Sequence, residues 1–500
     1  MNPAPLKALL GGYVDVPASL TVSDLALDSR EVTPGAAFFA LAGRQHHGLQ
    51  FAATAIARGV RAVVWEPAPG IAAPAPVADV AMVAVPNLSS QLGFIADRFF
   101  DAPSAAMRVT GITGTNGKST CAWLLAQALE YLGREAAYIG TLGAGRPGRL
   151  APLAQTTPDA IRLQRLLAGL RAEGVDTVAM EVSSHAMAQH RCAGVRFHTA
   201  VFTNLTRDHL DYHGDFAAYG AAKAALFAWP TLAVRVINID DPFGSELARP
   251  NFDGRLVLTT QQPSEMLFAR ASEFVCANAL TVGAQGLVVS LLTHQGEAQL
   301  TSRLIGRFNV DNLLSVLGVL LGWDVPLASA CEALSQCRAP PGRMQVSGGG
   351  ALPLAVVDYA HTPDALEKAL AAVRAHCNGR VWCVFGCGGE RDAGKRALMG
   401  RAAAAGADEI IVTDDNPRGE DPAAIVADIL EDMPRRERVR VIHDRAAAIR
   451  TALEQAAVND AVLIAGKGHE AWQITGTQRL PFDDSVVVGA VLAARAGRAA

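Results

Sequence analysis

Gly111-Ile112-Thr113-Gly114-Thr115-Asn116-Gly117-Lys118-Ser119-Thr120 lies between an apolar run, Met107-Arg108-Val109-Thr110, and an alanine- and leucine-rich pattern that predicts a helix from Cys121 to Leu132. Strand, glycine turn and helix in that order form the setting of a phosphate-binding loop. Glycines let backbone N–H groups turn inward around an anion, and the helix N-terminus adds a favourable dipole. In such a loop Lys118 supplies a fixed positive charge to the terminal phosphates, and the Ser119 hydroxyl reaches a Mg²⁺ that bridges them. The spacing is shifted, because Ile112 stands where the usual pattern has its first glycine; glycines occur at Gly111 and Gly114 instead. The plainer alternative is a glycine-rich turn with no ligand. Gly-Lys-Ser-Thr directly after a strand favours a nucleoside triphosphate with Mg²⁺.

The chain has 500 residues, too many for one core, so two to four domains are expected. Half the residues are hydrophobic and the net charge is −4. That charge gives no electrostatic reason to expect nucleic acid, so phosphates should be met by local loops. Eight cysteines, Cys121, Cys192, Cys276, Cys331, Cys337, Cys377, Cys383 and Cys387, scatter through apolar segments with no Cys-x-x-Cys pair. Buried free thiols in a reducing compartment are expected. No basic region precedes an apolar run at the N-terminus, and no apolar run is long enough to span a bilayer. A cytoplasmic protein without a membrane span is expected.

An α/β chain of three domains is predicted: residues 1–86, 87–337 and 338–500. The first has short apolar runs at Ala37–Leu41, Ala62–Trp65 and Met82–Val85 that read as strands. Its polar clusters, Leu27-Asp28-Ser29-Arg30 and Gly43-Arg44-Gln45-His46-His47-Gly48, read by composition as turns. In the middle segment, apolar strands end in polar tips at Glu181-Val182-Ser183-Ser184-His185, Thr203-Asn204 and Asn238-Ile239-Asp240, with helical patterns between. A parallel sheet covered by helices is the expectation, with reactive groups at the strands' carboxyl ends. Ala339-Pro340-Pro341-Gly342 reads as a linker. Beyond it the alternation restarts as a second, Rossmann-like α/β unit, with strands at Leu354–Val357, Val381–Phe385, Glu409–Val412, Arg438–Ile442 and Ala461–Ala465.

Several clusters admit two readings from composition. Glu181 either holds Mg²⁺ or caps and pairs. His209, in Arg207-Asp208-His209-Leu210-Asp211-Tyr212-His213, taken alone is a structural histidine. Lys223 sits on an otherwise apolar helix and reads as a snorkelling surface lysine. Gly466-Lys467-Gly468-His469-Glu470 looks like a second phosphate loop, but no Ser or Thr follows the lysine. It is either a plain turn or a turn presenting Glu470 to a ligand's ammonium. In Asp415-Asn416-Pro417-Arg418, Pro417 fixes the turn and aims Arg418 outward, either as a loop arginine or as a two-pronged carboxylate clamp.

Together these motifs resemble the Mur ligases, the ATP-dependent amide-forming enzymes of peptidoglycan precursor synthesis. The shifted phosphate loop is that family's variant. Met180–His185, Thr203–Asp211, Gly306-Arg307-Phe308-Asn309-Val310-Asp311-Asn312 and Asp358–Pro363 resemble family blocks in family order, over nearly the whole chain. Asp415–Arg418 resembles the motif of members that add meso-diaminopimelate to UDP-N-acetylmuramoyl-L-alanyl-D-glutamate. The chemistry agrees. Lysine and meso-diaminopimelate differ by one far carboxylate, for which Arg418 offers a cation.

The resemblance implies roles. Gly114, Thr115, Asn116, Gly117, Lys118, Ser119 and Thr120 would hold ATP phosphates, Asn309 and Asn312 would face adenine, Asp358 would take the ribose, and Arg343 would approach the phosphates. Ser119 and Glu181 would hold one Mg²⁺, with His209, Glu181 and Lys223 serving a second. Lys223 matches a carbamylated lysine (N6-carboxylysine); a carbamate is an anionic oxygen ligand where an ammonium would repel the ion. Leu27, Ser29, Arg44, Gln45 and His46 fall where the family holds UDP. Thr156, Thr157, Ser183, Gln189 and Arg191 fall where it holds the muramoyl-dipeptide. Arg391, Asp415, Asn416, Pro417, Arg418, Gly466 and Glu470 fall at the diaminopimelate. The implied partners are these small molecules only, on a monomer. A lysine-adding relative and a folylpolyglutamate synthase-like ligase are the alternatives. Arg418 of the Asp-Asn-Pro-Arg block weighs against the first, and that block with the full N-terminal domain weighs against the second.

Overall fold

The computed structural model describes residues 3–43, 46–249, 252–263, 272–434 and 439–499. They form two compact units. The first comprises residues 1–118, 133–237 and 241–256; the second comprises 119–132, 238–240 and 257–500. Among the described residues, no helix is long and apolar enough to cross a membrane.

The first unit opens with a four-stranded parallel sheet, in the order Leu25–Ala26, Ala37–Ala40, Ala62–Trp65, Ala81–Ala84. Ala37–Ala40 and Ala62–Trp65 are buried at every position, as strands covered on both faces must be. Alternation sends Phe39 and Val64 to a core with Leu6, Leu10, Leu88, Leu92 and Ile95. Phe38 and Val63 go to the opposite core with Ala52 and Ala55.

The unit's larger sheet runs Arg149–Ala151, Gly143–Arg146, Ala136–Gly140, Thr177–Glu181, Arg108–Thr113, Phe197–Phe202, Val234–Asn238. It is parallel from Ala136–Gly140 onward, with the two preceding strands antiparallel at the edge. Arg108–Thr113 comes first in sequence yet lies between two later strands, so the chain leaves it in both directions. Ligands bind at the carboxyl end of such a switch point, and the glycine loop stands there. Gly111 lies inside this strand: a Cβ on it would meet the Phe197 ring at 2.9 Å. The shifted glycine therefore serves sheet packing.

The second unit adds strands that are not all parallel. Arg255–Thr260 pairs parallel with Glu273–Gly283, but Glu273–Gly283, Gly286–Thr293 and Gly296–Ser302 form an antiparallel meander. Two-residue connections can join strands only antiparallel. Gly286 has φ +121°, and a Cβ there would lie 2.0 Å from the Ser302 carbonyl oxygen.

The C-terminal sheet runs Gln345–Gly348, Leu354–Asp358, Ala461–Ala465, Val381–Phe385, Glu409–Val412, Val439–Val441, and is parallel except for the first strand. Val356, Phe385 and Leu463 face one core, and Val357, Val384 and Ile464 the other. The last helix, Asp484–Ala499, is anchored by a fully buried ion pair: Arg445 Nε and Nη2 donate to the two Asp484 carboxylate oxygens, each at 2.7 Å. Removing one partner strands the other charge in the interior. Arg445→Ala is therefore expected to cost about 3–5 kcal/mol, seen as a large fall in the melting temperature; an unchanged melt would contradict it.

The cysteines are all free, and only Cys377 is partly exposed. Burial pushes the thiols of Cys192, Cys337, Cys383 and Cys387 up to about 12, which leaves them inert.

Candidate active site

At the phosphate loop, two lysines meet one carbonyl. Lys118 Nζ donates to the Gly114 and Thr115 carbonyl oxygens, both at 2.9 Å, and Lys223 Nζ donates to Gly114 at 2.7 Å. The loop is braced by the tip of the neighbouring strand. Asn116 N–H donates to Asn204 Oδ1 at 2.9 Å, and Thr203 Oγ1 donates to the Asn116 carbonyl at 2.6 Å. Gly114 has φ +150°, and a Cβ there would lie 1.9 Å from Thr203 Oγ1, so only glycine fits.

Lys223 does not snorkel. It is 1% exposed, with Nζ 4.6 Å from the Tyr219 ring centroid. The Tyr219 hydroxyl in turn lies 3.1 Å from Thr115 Oγ1. Burial, then the neighbouring Lys118 charge, push its amine down to about 6, with Asp208 opposing. An apolar helix reads as surface when the sequence does not reveal what lies opposite. Here the opposite wall is the loop itself.

His209 has φ +53° and lies half-exposed, its Nε2 3.4 Å from Asp208. Its ring meets His185 at 4.8 Å between centroids. Burial, then the charges of His209 and His213, depress the His185 pKa. Glu181 is buried at the end of its strand. Its Oε1 accepts from the Tyr138 hydroxyl at 2.5 Å and from Thr141 N–H at 2.9 Å. Among the described residues, no three His, Cys, Asp or Glu side chains are grouped to hold a metal ion. A cation at Glu181, His209 and Lys223 thus depends on Lys223 becoming anionic.

Five residues expected at the muramoyl-dipeptide join one network. Thr157 Oγ1 donates to the Glu181 carbonyl at 2.8 Å and accepts from Ser183 N–H at 3.1 Å. Thr156 Oγ1 lies 3.1 Å from Thr141 Oγ1, itself a donor to Glu181 Oε2 at 3.3 Å. Arg191 donates to Gln155 Oε1 at 2.6 Å, to the Thr157 carbonyl at 2.9 Å and to Gln189 Oε1 at 2.8 Å. Leu27, Ser29 and Gln155 line a cavity of about 1100 Å³. Arg162 and Arg165, which sequence reasoning passed over, line it too; their i, i+3 spacing on one helix was the available signal. His46 is exposed and is not among the described lining residues. Arg44 and Gln45 lie outside the described residues.

In the second unit, Ser119 and Thr120 begin the helix Lys118–Tyr131. Cys121 on that helix reaches Asn312 Oδ1 at 3.3 Å. Asn312 Nδ2 donates to Asn309 Oδ1 at 2.8 Å, and Asn309 Nδ2 donates to the Ile305 carbonyl at 2.8 Å. This chain fixes which way both amides point. Asp358 accepts from the N–H groups of Met344 at 2.7 Å and Ala360 at 2.9 Å. Burial lifts its carboxyl, and those bonds together with the Arg343 charge oppose the rise. The Arg343 guanidinium lies 4.8 Å from the Tyr359 ring centroid, and its buried Nε has no protein acceptor among the described residues. An orphaned buried donor of this kind suits an incoming anion.

The Asp-Asn-Pro-Arg turn and the Gly466–Glu470 turn come together at the strands' carboxyl ends. Asn416 Nδ2 donates to Glu470 Oε2 at 2.8 Å. Pro417 does not aim Arg418 outward. Arg418 takes φ +52°, and its Nη1 donates to the Gly389 carbonyl at 2.7 Å. A hairpin, Trp472–Thr475 with Gln478–Pro481, holds that inward geometry: Arg418 N–H donates to Ile474 at 3.0 Å, and Gln473 Nε2 donates to the Asp415 carbonyl at 2.8 Å. Arg391 stands exposed beside it, its Cγ 3.6 Å from where a Gly388 Cβ would be. Gly466 has φ +113°, and a Cβ there would lie 2.7 Å from Asp415 Oδ2. Burial raises the Asp415 carboxyl, with Arg445 and Lys467 opposing. Lys467 turns inward, so this turn does not present a lysine to a phosphate.

Comparison with known proteins follows this geometry along the chain. Residues 21–100 match the family model "Mur ligase family, catalytic domain", 112–320 "Mur ligase middle domain" and 342–468 "Mur ligase, glutamate ligase domain". A protein of Ectopseudomonas mendocina (strain ymp), named UDP-N-acetylmuramoyl-L-alanyl-D-glutamate--2,6-diaminopimelate ligase, is 49% identical over 98% of this chain and 99% of its own. A protein of the same name from Xanthomonas oryzae pv. oryzae (strain MAFF 311018) is 50% identical over 96% of each chain. A solved structure bearing that ligase name superposes with a TM-score of 0.74 at 35% identity, covering 99% of both chains. The chain belongs to the Mur ligase family.

Proposed function

We propose that this protein joins meso-2,6-diaminopimelate to UDP-N-acetylmuramoyl-L-alanyl-D-glutamate at the expense of ATP, in cytoplasmic peptidoglycan precursor synthesis. The observation that carries the reading is the pocket of Asn416, Arg418 and Glu470 in a chain 49% identical, over nearly its full length, to a ligase of that name. A division of labour among residues 1–86, 87–337 and 338–500 belongs to the same reading, as does action as a monomer.

The γ-carboxylate of the D-glutamyl residue attacks the γ-phosphorus of ATP, and ADP leaves. The amine at the L centre of meso-diaminopimelate attacks the resulting acyl phosphate, a proton departs from the nitrogen, and phosphate leaves. Two anions meet in the first step, so cations dominate the design. Lys118 and Arg343 neutralise phosphate charge, and the N–H groups of Gly114–Thr120 cradle it. Asn309, Asn312 and Asp358 orient the nucleoside. Leu27, Ser29, Arg44, Gln45 and His46 receive UDP; Thr156, Thr157, Ser183, Gln189 and Arg191 receive the muramoyl-dipeptide. Arg391, Asp415, Asn416, Pro417, Arg418, Gly466 and Glu470 hold the amino acid.

Glu181, His209 and, as a carbamate, Lys223 are the residues that would hold Mg²⁺, with the Ser119 hydroxyl a further ligand, and the ion would neutralise developing phosphate charge. The fit rests on an amine buried beside a lysine and depressed to about 6, hence neutral and nucleophilic at neutral pH.

The test is ATP consumption with the UDP-muramoyl-dipeptide and meso-diaminopimelate, against L-lysine as control. Phosphate release that depends on both substrates and is several-fold faster with the diacid supports the reading. Equal rates with lysine refute it. Arg418→Lys keeps the charge and loses the fork, so it is expected to raise the KM for meso-diaminopimelate by about tenfold or more while leaving that for ATP near its original value. Parallel rises in both would count against the clamp.

A further inference from the structure

Lys467 carries a charge with no part in the steps above. It is 0% exposed, in the turn after Ala461–Ala465. Its Nζ donates to Asn416 Oδ1 at 3.1 Å and to Glu470 Oε2 at 3.2 Å. Ile474 N–H donates to the same Asn416 oxygen at 3.0 Å, and Asn416 Nδ2 donates to the same Glu470 oxygen at 2.8 Å. Each group orients the others. Asn416 cannot flip its amide, because its oxygen already takes two donors. Among the described residues Glu470 is held by one oxygen, which leaves the other for a ligand.

Arg445 and Asp484 cancel in their two-pronged buried pair. Lys467 is paired with Glu470 at 3.2 Å, so it offsets the carboxylate that borders the pocket. A buried ammonium is costly to hold, and one carboxylate oxygen and one amide oxygen are modest compensation.

We propose that Lys467 is the positioning residue that sets amine specificity: its buried charge disfavours an amino acid ending in a bare ammonium and favours one whose far end also carries a carboxylate. This rests on reading the pocket as the site of the incoming amino acid. L-lysine brings a net positive far end, whereas the far end of meso-diaminopimelate is a zwitterion. A buried cation that offsets Glu470 therefore penalises the first and spares the second. Selectivity then comes from rejecting the wrong amine as well as from clamping the right one.

The experiment uses the full chain, ATP and the UDP-muramoyl-dipeptide. The kcat/KM is measured for meso-diaminopimelate, L-lysine and 2-aminopimelate, the last having the far carboxylate without the far amine. Wild-type protein is expected to favour 2-aminopimelate over L-lysine. Lys467→Met is expected to lower the ratio of diaminopimelate to lysine by about tenfold, with the KM for ATP unchanged; Lys467→Arg, which keeps the charge, retains the ratio. A slower Lys467→Met protein with the wild-type ratio would overturn the proposal, because a merely structural lysine would behave so. Should Lys467→Met not fold, Lys467→Gln takes its place with the same two outcomes; wild-type protein that takes lysine as readily as 2-aminopimelate also overturns the proposal. Wild-type protein that ligates none of the three amines would instead overturn the reading of the pocket, and this proposal with it.

Discussion

Replacing Lys118 by alanine is expected to abolish both ADP formation and ligation, a loss of about 10³-fold or more. Phosphoryl transfer to a carboxylate brings two anions together, and nothing proceeds until that repulsion is neutralised. Lys118 is placed for this by two loop carbonyls, Gly114 and Thr115, each 2.9 Å away. The loop itself is pinned by Thr203 and Asn204, which leaves the backbone a defined shape when the side chain is removed. The measurement is phosphate release alongside chromatographic detection of the tripeptide product. ADP release that persists while ligation stops would show that Lys118 acts after phosphoryl transfer and is not the charge that enables it.

The second large effect concerns Lys223. Its amine, pushed down to about 6, is neutral at pH 7 to 8. A neutral amine nitrogen can attack the carbon of CO₂ and lose a proton, giving a carbamate anion beside the Lys118 cation. Acidification through about pH 6 protonates the amine and removes the nucleophile, so carbamate and activity are both expected to fall there. The stability sign is separate. Between about 6 and the ordinary lysine value of 10.5, the unfolded chain binds one more proton at this position than the folded chain. This residue's contribution to stability therefore rises with pH across that window.

Labelling with ¹³C-bicarbonate is expected to give a carbamate signal that is absent in Lys223→Ala. That variant is expected to lose about 10³-fold in turnover, since an anionic oxygen ligand for the metal is gone. CO₂-stripped protein should lose activity and regain it with bicarbonate. Full activity in CO₂-free buffer, with no carbamate signal, would remove Lys223 from the mechanism.

Much of the architecture was legible before any coordinates. The strands Val381–Phe385, Glu409–Val412 and Ala461–Ala465 stand where their apolar runs predicted them. The run around Gly286 and Gly296 did not read as an antiparallel meander, because short hairpin turns there carry little of the usual turn chemistry. Thr156, Thr157, Ser183, Gln189 and Arg191 could be named from the resemblance, but nothing local showed that they share one hydrogen-bond network with Glu181. Lys467 was read only as part of a turn like a phosphate loop, because nothing local shows which way a lysine between two glycines points.

The order of residues alone determined the α/β alternation, the phosphate loop at a strand end, the polar strand tips and the unpaired thiols. Each depends on spacing within a few residues, through helix and strand periodicity and turn chemistry. Only the tertiary structure decided which lysines are buried, which way Arg418 points and how Asn416 is oriented. Those outcomes depend on groups far apart in the chain, such as Gly114 with Lys223 and Asn416 with Glu470. A side chain's charge state and direction follow from what faces it across the fold, and local pattern carries no record of that.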